Sequence, residues 1–226
     1  MMPDTDAMIL KECDPTMPAD RNDRREATRA RIIEATSRLI GHQHGLSVRI
    51  EEICARAGIS RGTFYNYFQS IDDLFVALSA DLTHDFNRIV LDCILKFESF
   101  ARQTYAAQYY YLERAASDPE WGWIMVHISA YGPIFGEETS QAALVSIEQG
   151  IANGEYDISD PVFGRDLALG TCLAAINTQL RQASPACRPG DAARYILRGL
   201  GVPDARIREI IADPLPSLSA LSLIHI

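Results

Sequence analysis

The sequence predicts an all-α fold, on three observations. Apolar residues recur at helical spacing through most of the 226 residues, and Gly, Pro and Asn fall at regular intervals between these stretches. The one alternating stretch that could suggest a strand is the brief 155–158 segment, Glu-Tyr-Asp-Ile.

The elements follow in order. Residues 1–20 are polar and carry Pro15 and Pro18, so they read as a disordered arm. The first helix spans Arg21 to Ile40, with Ala27, Ile32, Ile33, Ala35, Leu39 and Ile40 on its apolar face and Arg24, Arg25, Arg29, Arg31 and Arg38 outside it. The stretch Gly41–Gly45 breaks it. A second helix is expected over Val48–Ala57 with Ser47 as its cap, and a third over Ser60–Tyr67. The fourth runs from Ile71 to about Phe97 without interruption. Its early stripe (Ile71, Leu74, Phe75, Leu78) fits beneath the first three helices, and its later one (Phe86, Ile89, Val90, Cys93, Ile94) fits a second unit. Further helices are expected at Gln103–Ala116, Glu120–Tyr131, Glu137–Ala152, Pro161–Ala183, Asp191–Leu200 and Pro203–Ala212, each closed by Gly, Pro or Asn. The domains are therefore a three-helix head at 21–70 and a helical body at 71–216, with a tail at 217–226.

The segment Ile53–Phe68 carries the functional signal. Ile53, Ala57 and Ile59 anchor it, Gly58 makes the corner of a helix-turn-helix, and Ser60 stands where an N-cap belongs. Arg61, Thr63, Tyr65, Asn66 and Tyr67 follow, side chains that hydrogen-bond to base edges and phosphates. Charge distribution agrees. The chain totals −9, yet residues 20–70 hold nine Arg against six Asp and Glu, which leaves a basic head on an acidic body.

The runs Thr28-Arg-Ala-Arg-Ile-Ile-Glu-Ala-Thr36 and Ala57-Gly-Ile-Ser-Arg-Gly-Thr-Phe-Tyr-Asn-Tyr-Phe68 resemble the TetR family of bacterial transcriptional regulators over residues 22–78. The resemblance implies an Ω-shaped homodimer whose heads read a palindromic double-stranded operator, and a C-terminal domain that binds a small effector and forms the dimer. Carried over by position, it implies Ser60, Arg61, Gly62, Thr63, Tyr65, Asn66 and Tyr67 as the DNA-binding residues, with Arg61, Gly62 and Thr63 towards bases and Tyr65 and Tyr67 towards phosphates. Phe64 and Phe68 are expected inside the head. Three features depart from the family pattern: Ile71 stands in place of a phosphate-binding lysine, the loop before the second helix is about one residue short, and Glu51 occupies a usually basic or neutral position.

In the body, Tyr105, Tyr109, Trp123, His127 and Tyr131 are the candidate lining of a pocket for an apolar or aromatic effector, the last three sharing a face at i, i+4, i+8. The competing reading makes them ordinary core aromatics. Leu169, Leu173, Ile176, Tyr195 and Ile196, among small and branched neighbours on two helices, are the candidate dimer interface. The five scattered cysteines lack CxxC spacing, and His42-Gln43-His44 has no adjoining carboxylates, so no metal or cofactor is expected. Neither nucleophile motif nor phosphate loop points to an enzyme. No apolar run reaches the length of a membrane span, and the expected location is cytoplasmic. The last six residues, Leu221-Ser-Leu-Ile-His-Ile226, are also what a sequencing-adapter end encodes, so they are expected to be read-through rather than native chain.

The leading expectation is a ligand-responsive repressor, with an activator as its nearest variant. The alternative is a helical small-molecule-binding or interaction protein whose DNA-binding head has weakened.

Overall fold

The computed structural model describes residues 21–42, 48–181 and 188–217, and its described residues are helical with no strand. The expectations for Ser47, His44, the N-terminal arm and Leu221–Ile226 lie outside those residues.

Three helices make the head: α1 (Arg21–His42), α2 (Ile50–Ala57) and α3 (Arg61–Tyr65). α2 starts two residues later than its apolar pattern suggests, because the Arg49 N–H is bonded by Glu52 Oε2 at 2.9 Å and the chain before it is not helical. Its end is set by Gly58, whose φ of 65° closes the helix in the left-handed region. Ile32, Ile53, Phe64 and Leu74 are completely buried and form the head's centre.

The body contains α4 (Ile71–Ile94), α5 (Phe100–Ser117), α6 (Pro119–Ile128), α7 (Glu137–Ala152), α8 (Pro161–Arg181), α9 (Pro189–Gly199) and α10 (Asp204–Ala212). Local signals fix their starts. Ser70 caps α4 by accepting from the Asp73 N–H at 3.1 Å, and Asp118 caps α6 by accepting from Trp121 N–H at 3.1 Å, with Pro119 in the first turn. α5 begins three residues before its predicted start because a distant carboxylate holds it. Glu155 accepts from the N–H groups of Phe100 and Ala101, both at 3.0 Å, and from the Ser99 hydroxyl at 2.5 Å. The segment around Glu155 is thus a helix brace and not a strand.

α5 runs through the middle of the body, packed on α4, α6, α7, α8 and α9. α4 belongs to both units. Leu74, Phe75 and Leu78 are buried at its start, and Val90, Cys93 and Ile94 are buried among α5 residues at its end. α6 joins the units a second time. It packs on α1 and α4, and Phe75 meets the rings of His127 and Tyr131 at centroid distances of 5.5 and 4.8 Å. No helix among the described residues is long and apolar enough to cross a membrane.

Candidate nucleic-acid interface and ligand cavity

The helix-turn-helix places its polar residues outward. Ser60 caps α3 as expected, its Oγ accepting from the Thr63 N–H at 3.0 Å. Phe64 and Phe68 point inward, and Phe64 meets Tyr65 edge to face at 5.5 Å. Ser60, Arg61, Gly62, Tyr65 and Asn66 are exposed, while Thr63 and Tyr67 are half-buried. A methyl group added at Gly62 would meet only the Ser60 hydroxyl, at 3.7 Å, so this face of the helix is open.

Two further features of the head were not singled out in the sequence. Arg25 and Arg29 of α1 lie over Tyr67 and Phe68, their guanidinium carbons 6.0 and 5.8 Å from the ring centroids, which brings α1 charge beside the recognition helix. Arg61 also has two local partners. Tyr65 accepts a hydrogen bond from it, and Glu51 Oε1 lies 2.9 Å from its Nη1; together they reinforce the guanidinium charge. Ile71, where a lysine was expected, packs partly buried against the head core.

In the body, a cavity of about 370 Å³ opens between α4, α5, α7 and α8. α4 and its C-cap contribute Asn87, Val90, Leu91, Ile94 and Leu95, an i, i+3, i+4, i+7, i+8 stripe. α5 contributes Gln103, Thr104, Ala107, Gln108 and Tyr111, and the loop before α7 contributes Phe135. The surface is mainly apolar, with one polar ring at the α4–α5–α7 junction. The Tyr111 hydroxyl donates to Asn87 Oδ1 at 2.5 Å, Asn87 Nδ2 donates to Thr139 Oγ1 at 3.0 Å, and Thr139 Oγ1 lies 3.1 Å from the Tyr111 oxygen. Burial pushes the Tyr111 phenol far above its ordinary range, so it remains a donor at neutral pH. Among the described residues, the lining polar groups are amides, hydroxyls and the Glu138 carboxylate, with no Lys, Arg or His. Glu138 Oε2 also faces His84 Nδ1 of α4 at 3.3 Å.

The loop holding Phe135 is strained. Its φ of 59° is unusual for a bulky residue, and its buried ring lies 4.7 Å from that of Tyr111. Next to it, Gly136 at φ 86° rests on α4: an added Cβ would lie 2.6 Å from the Ser79 hydroxyl. Only glycine fits there.

None of Tyr105, Tyr109, Trp123, His127 and Tyr131 lines this cavity. Successive helical residues are turned by about 100°, so the α5 face with Thr104, Gln108 and Tyr111 excludes Tyr105 and Tyr109. Tyr105 instead lies beside Gly190 of α9, where a Cβ would be 3.1 Å from its hydroxyl. His127 and Tyr131 do share a face, but it is occupied by Phe75, and Trp123 lies under the Arg181 guanidinium at 5.4 Å. The interface candidates divide similarly. Leu169, Ile176 and Ile196 are buried within the single chain, so they are core, while Leu173 is half-buried and Tyr195 is 61% exposed. Phe163 on α8, not among the candidates, is 65% exposed.

The chain matches the family model described as "Bacterial regulatory proteins, tetR family" over residues 32–78. Residues 102–213 match the model described as "Tetracyclin repressor-like, C-terminal domain". Among solved structures it is similar to RolR in complex with the ligand resorcinol, with 28% identity and a TM-score of 0.70, covering 88% of this chain and 100% of that one. RolR without ligand gives 26% identity and a TM-score of 0.67, over 83% of this chain and 98% of that one. FadR from Bacillus subtilis in complex with stearoyl-CoA, 16% identical with a TM-score of 0.57 over 76% and 96% of the two chains, shares the fold. No curated protein sequence matches significantly.

Proposed function

The chain belongs to the TetR family of bacterial transcriptional regulators, and we propose that it is a repressor that grips a palindromic operator as a homodimer and lets go when a small uncharged molecule fills the body cavity. The observation that carries this reading is the position of α4. One end supplies core residues to the helix-turn-helix head, and the other supplies a wall of the 370 Å³ cavity.

On the DNA side, Arg61 donates to guanine and Thr63 meets a base methyl or phosphate, with Ser60, Gly62 and Asn66 close to the groove. Tyr65 and Tyr67 take phosphates. Arg25 and Arg29, stacked by the recognition helix, supply phosphate charge in place of the lysine replaced by Ile71. The two heads of a dimer fit half-sites one or more helical turns apart, a turn being about 34–36 Å. The dimer forms through the outer faces of α8 and α9, where Phe163, Leu173 and Tyr195 remain accessible.

On the effector side, the lining favours a neutral ring bearing hydroxyl groups. Burying a carboxylate or phosphate without a cationic partner is strongly unfavourable, and the lining offers amides and hydroxyls instead. RolR, whose ligand is resorcinol, supports the same class. Such a hydroxyl would enter the Asn87–Tyr111–Thr139 ring, exchange one of its hydrogen bonds for its own, and change the α4–α7 separation. Only a ligand with different affinities for the two arrangements can drive this shift.

The test is fluorescence anisotropy of a labelled duplex selected by the protein, titrated first with resorcinol and then with 3,5-dihydroxybenzoate. Release by the neutral phenol and not by its carboxylate analogue is expected. Equal release by both would remove the charge argument, and failure to select any duplex would remove the regulator reading.

A further inference from the structure

We infer that Glu51 is a specificity-determining residue that reads cytosine, acting with Arg61 to recognise one G·C pair per half-site. The inference rests on the DNA-reading role proposed above for Arg61.

Glu51 has no evident structural duty. It stands in the first turn of α2, where a carboxylate favours the helix dipole, but Glu52 already fills that role. Glu52 accepts from the Arg49 N–H at 2.9 Å, and its carboxyl is held below the usual range by that bond. Glu51 instead reaches across the corner to α3 and pairs with Arg61 at 2.9 Å. The side chains of Arg61 and Glu51 are 59% and 57% exposed, and an ion pair so open to water adds little stability. A carboxylate on the face meant for a polyanion also weakens the approach to phosphate. Neither stability nor nonspecific affinity accounts for it.

Base chemistry does. In the major groove a carboxylate can accept only from an exocyclic amino group, and cytosine N4 is its usual partner. The O6 and N7 acceptors of guanine, which suit arginine, lie beside that amino group in the same base pair. An Arg and a Glu in contact, projecting from adjacent helices, therefore match the donor and acceptor pattern of one G·C pair. Arg61 is prepared for this role. Glu51 and Tyr65 hold its guanidinium, and the group's five N–H donors leave others free for guanine. Holding a flexible side chain before binding lowers the ordering cost on the DNA.

The experiment uses the full-length protein. Duplexes selected from a randomised pool by wild type are compared with those selected by Glu51→Gln and Glu51→Ala. Wild type is expected to choose one G·C pair in each half-site, and both variants to lose at least about fivefold of the discrimination there. Their affinity for random duplex rises, because a negative charge has gone. The slope of affinity against salt stays unchanged, because no phosphate contact is removed. N4-methylcytosine at the selected position separates reading from mere positioning of Arg61. Wild type should lose affinity on the methylated duplex, while Glu51→Ala should not distinguish it from the unmodified one. Wild-type indifference to the methyl group, or unchanged base preference in both variants, overturns the inference while leaving the regulator reading intact. If wild type selects no sequence at all, both fall together.

Discussion

In the head, Arg61, Gly62 and Tyr65 of a five-residue helix and its C-cap Asn66 face solvent; in the body, Asn87, Tyr111 and Thr139 face one another across three helices. The first arrangement leaves its side chains open to solvent, Arg61 being held only by its neighbours Glu51 and Tyr65. The second closes them in a ring, so an incoming molecule must offer hydrogen bonds at least as good. A reader of a long polymer can afford a fixed outward display. A sensor for a small molecule needs an interior that already has one stable arrangement and can adopt another.

The largest expected effect separates the two units. Phe64 is wholly buried at the centre of the head, and Phe64→Ala should cost about 3–5 kcal/mol, measured by chemical denaturation. DNA binding should vanish while calorimetry still detects effector binding. Loss of both would mean that the head and body fold as a single unit.

Tyr111→Phe acts on the other side of the comparison. It leaves Asn87 Oδ1 without the phenol donor and should cost about 1–3 kcal/mol in thermal or urea unfolding. The affinity for resorcinol should fall and the affinity for unliganded operator should not. A change in operator affinity alone would show that the ring is a structural brace of α4 rather than a ligand contact.

The smallest effect tests the brace on α5. Burial raises the Glu155 carboxyl's pKa, but the hydrogen bonds from Ser99, Ala101 and Phe100 outweigh it and hold the group below its usual value. A depressed folded-state pKa means that its stabilisation is complete at neutral pH and declines as acid carries the solution below about pH 4.5 towards the folded value. Glu155→Gln should therefore cost about 1 kcal/mol at pH 7 and progressively less in acid, read from denaturation midpoints at both pH values. A constant difference between the two proteins would show that the charge is irrelevant to the cap.

The same contrast decides what could be read in the sequence. Ser60, Gly58, Phe64 and Phe68 lie within a few residues of one another, and capping, turn and burial signals are local. The 16-residue α7 begins and ends where its pattern predicts, for the same reason. The cavity is not local. Thr104, Gln108 and Tyr111 become a wall only because α4 and α7 cover that side of α5, and in the sequence they are less conspicuous than the neighbouring Tyr105 and Tyr109. Leu169, Ile176 and Ile196 carry the composition of an interface, but the same composition suits a core, and burial inside one chain assigns them to it. Glu51 was visible as a departure from the family pattern; its pairing with Arg61 required the angle between two helices.

The continuity of α4 has a mechanical consequence. Asn87 and Leu74 are thirteen residues apart on one unbroken helix, or roughly 20 Å at about 1.5 Å per residue. If the helix pivots near Asn87 by about 5°, the end inside the head sweeps an arc of roughly 1.7 Å. A hydrogen bond is lost over a smaller displacement than that, so an adjustment tolerable inside the cavity exceeds what a base contact can absorb. In a repressor of the kind proposed, such an arm amplifies, and an effector need not move anything far.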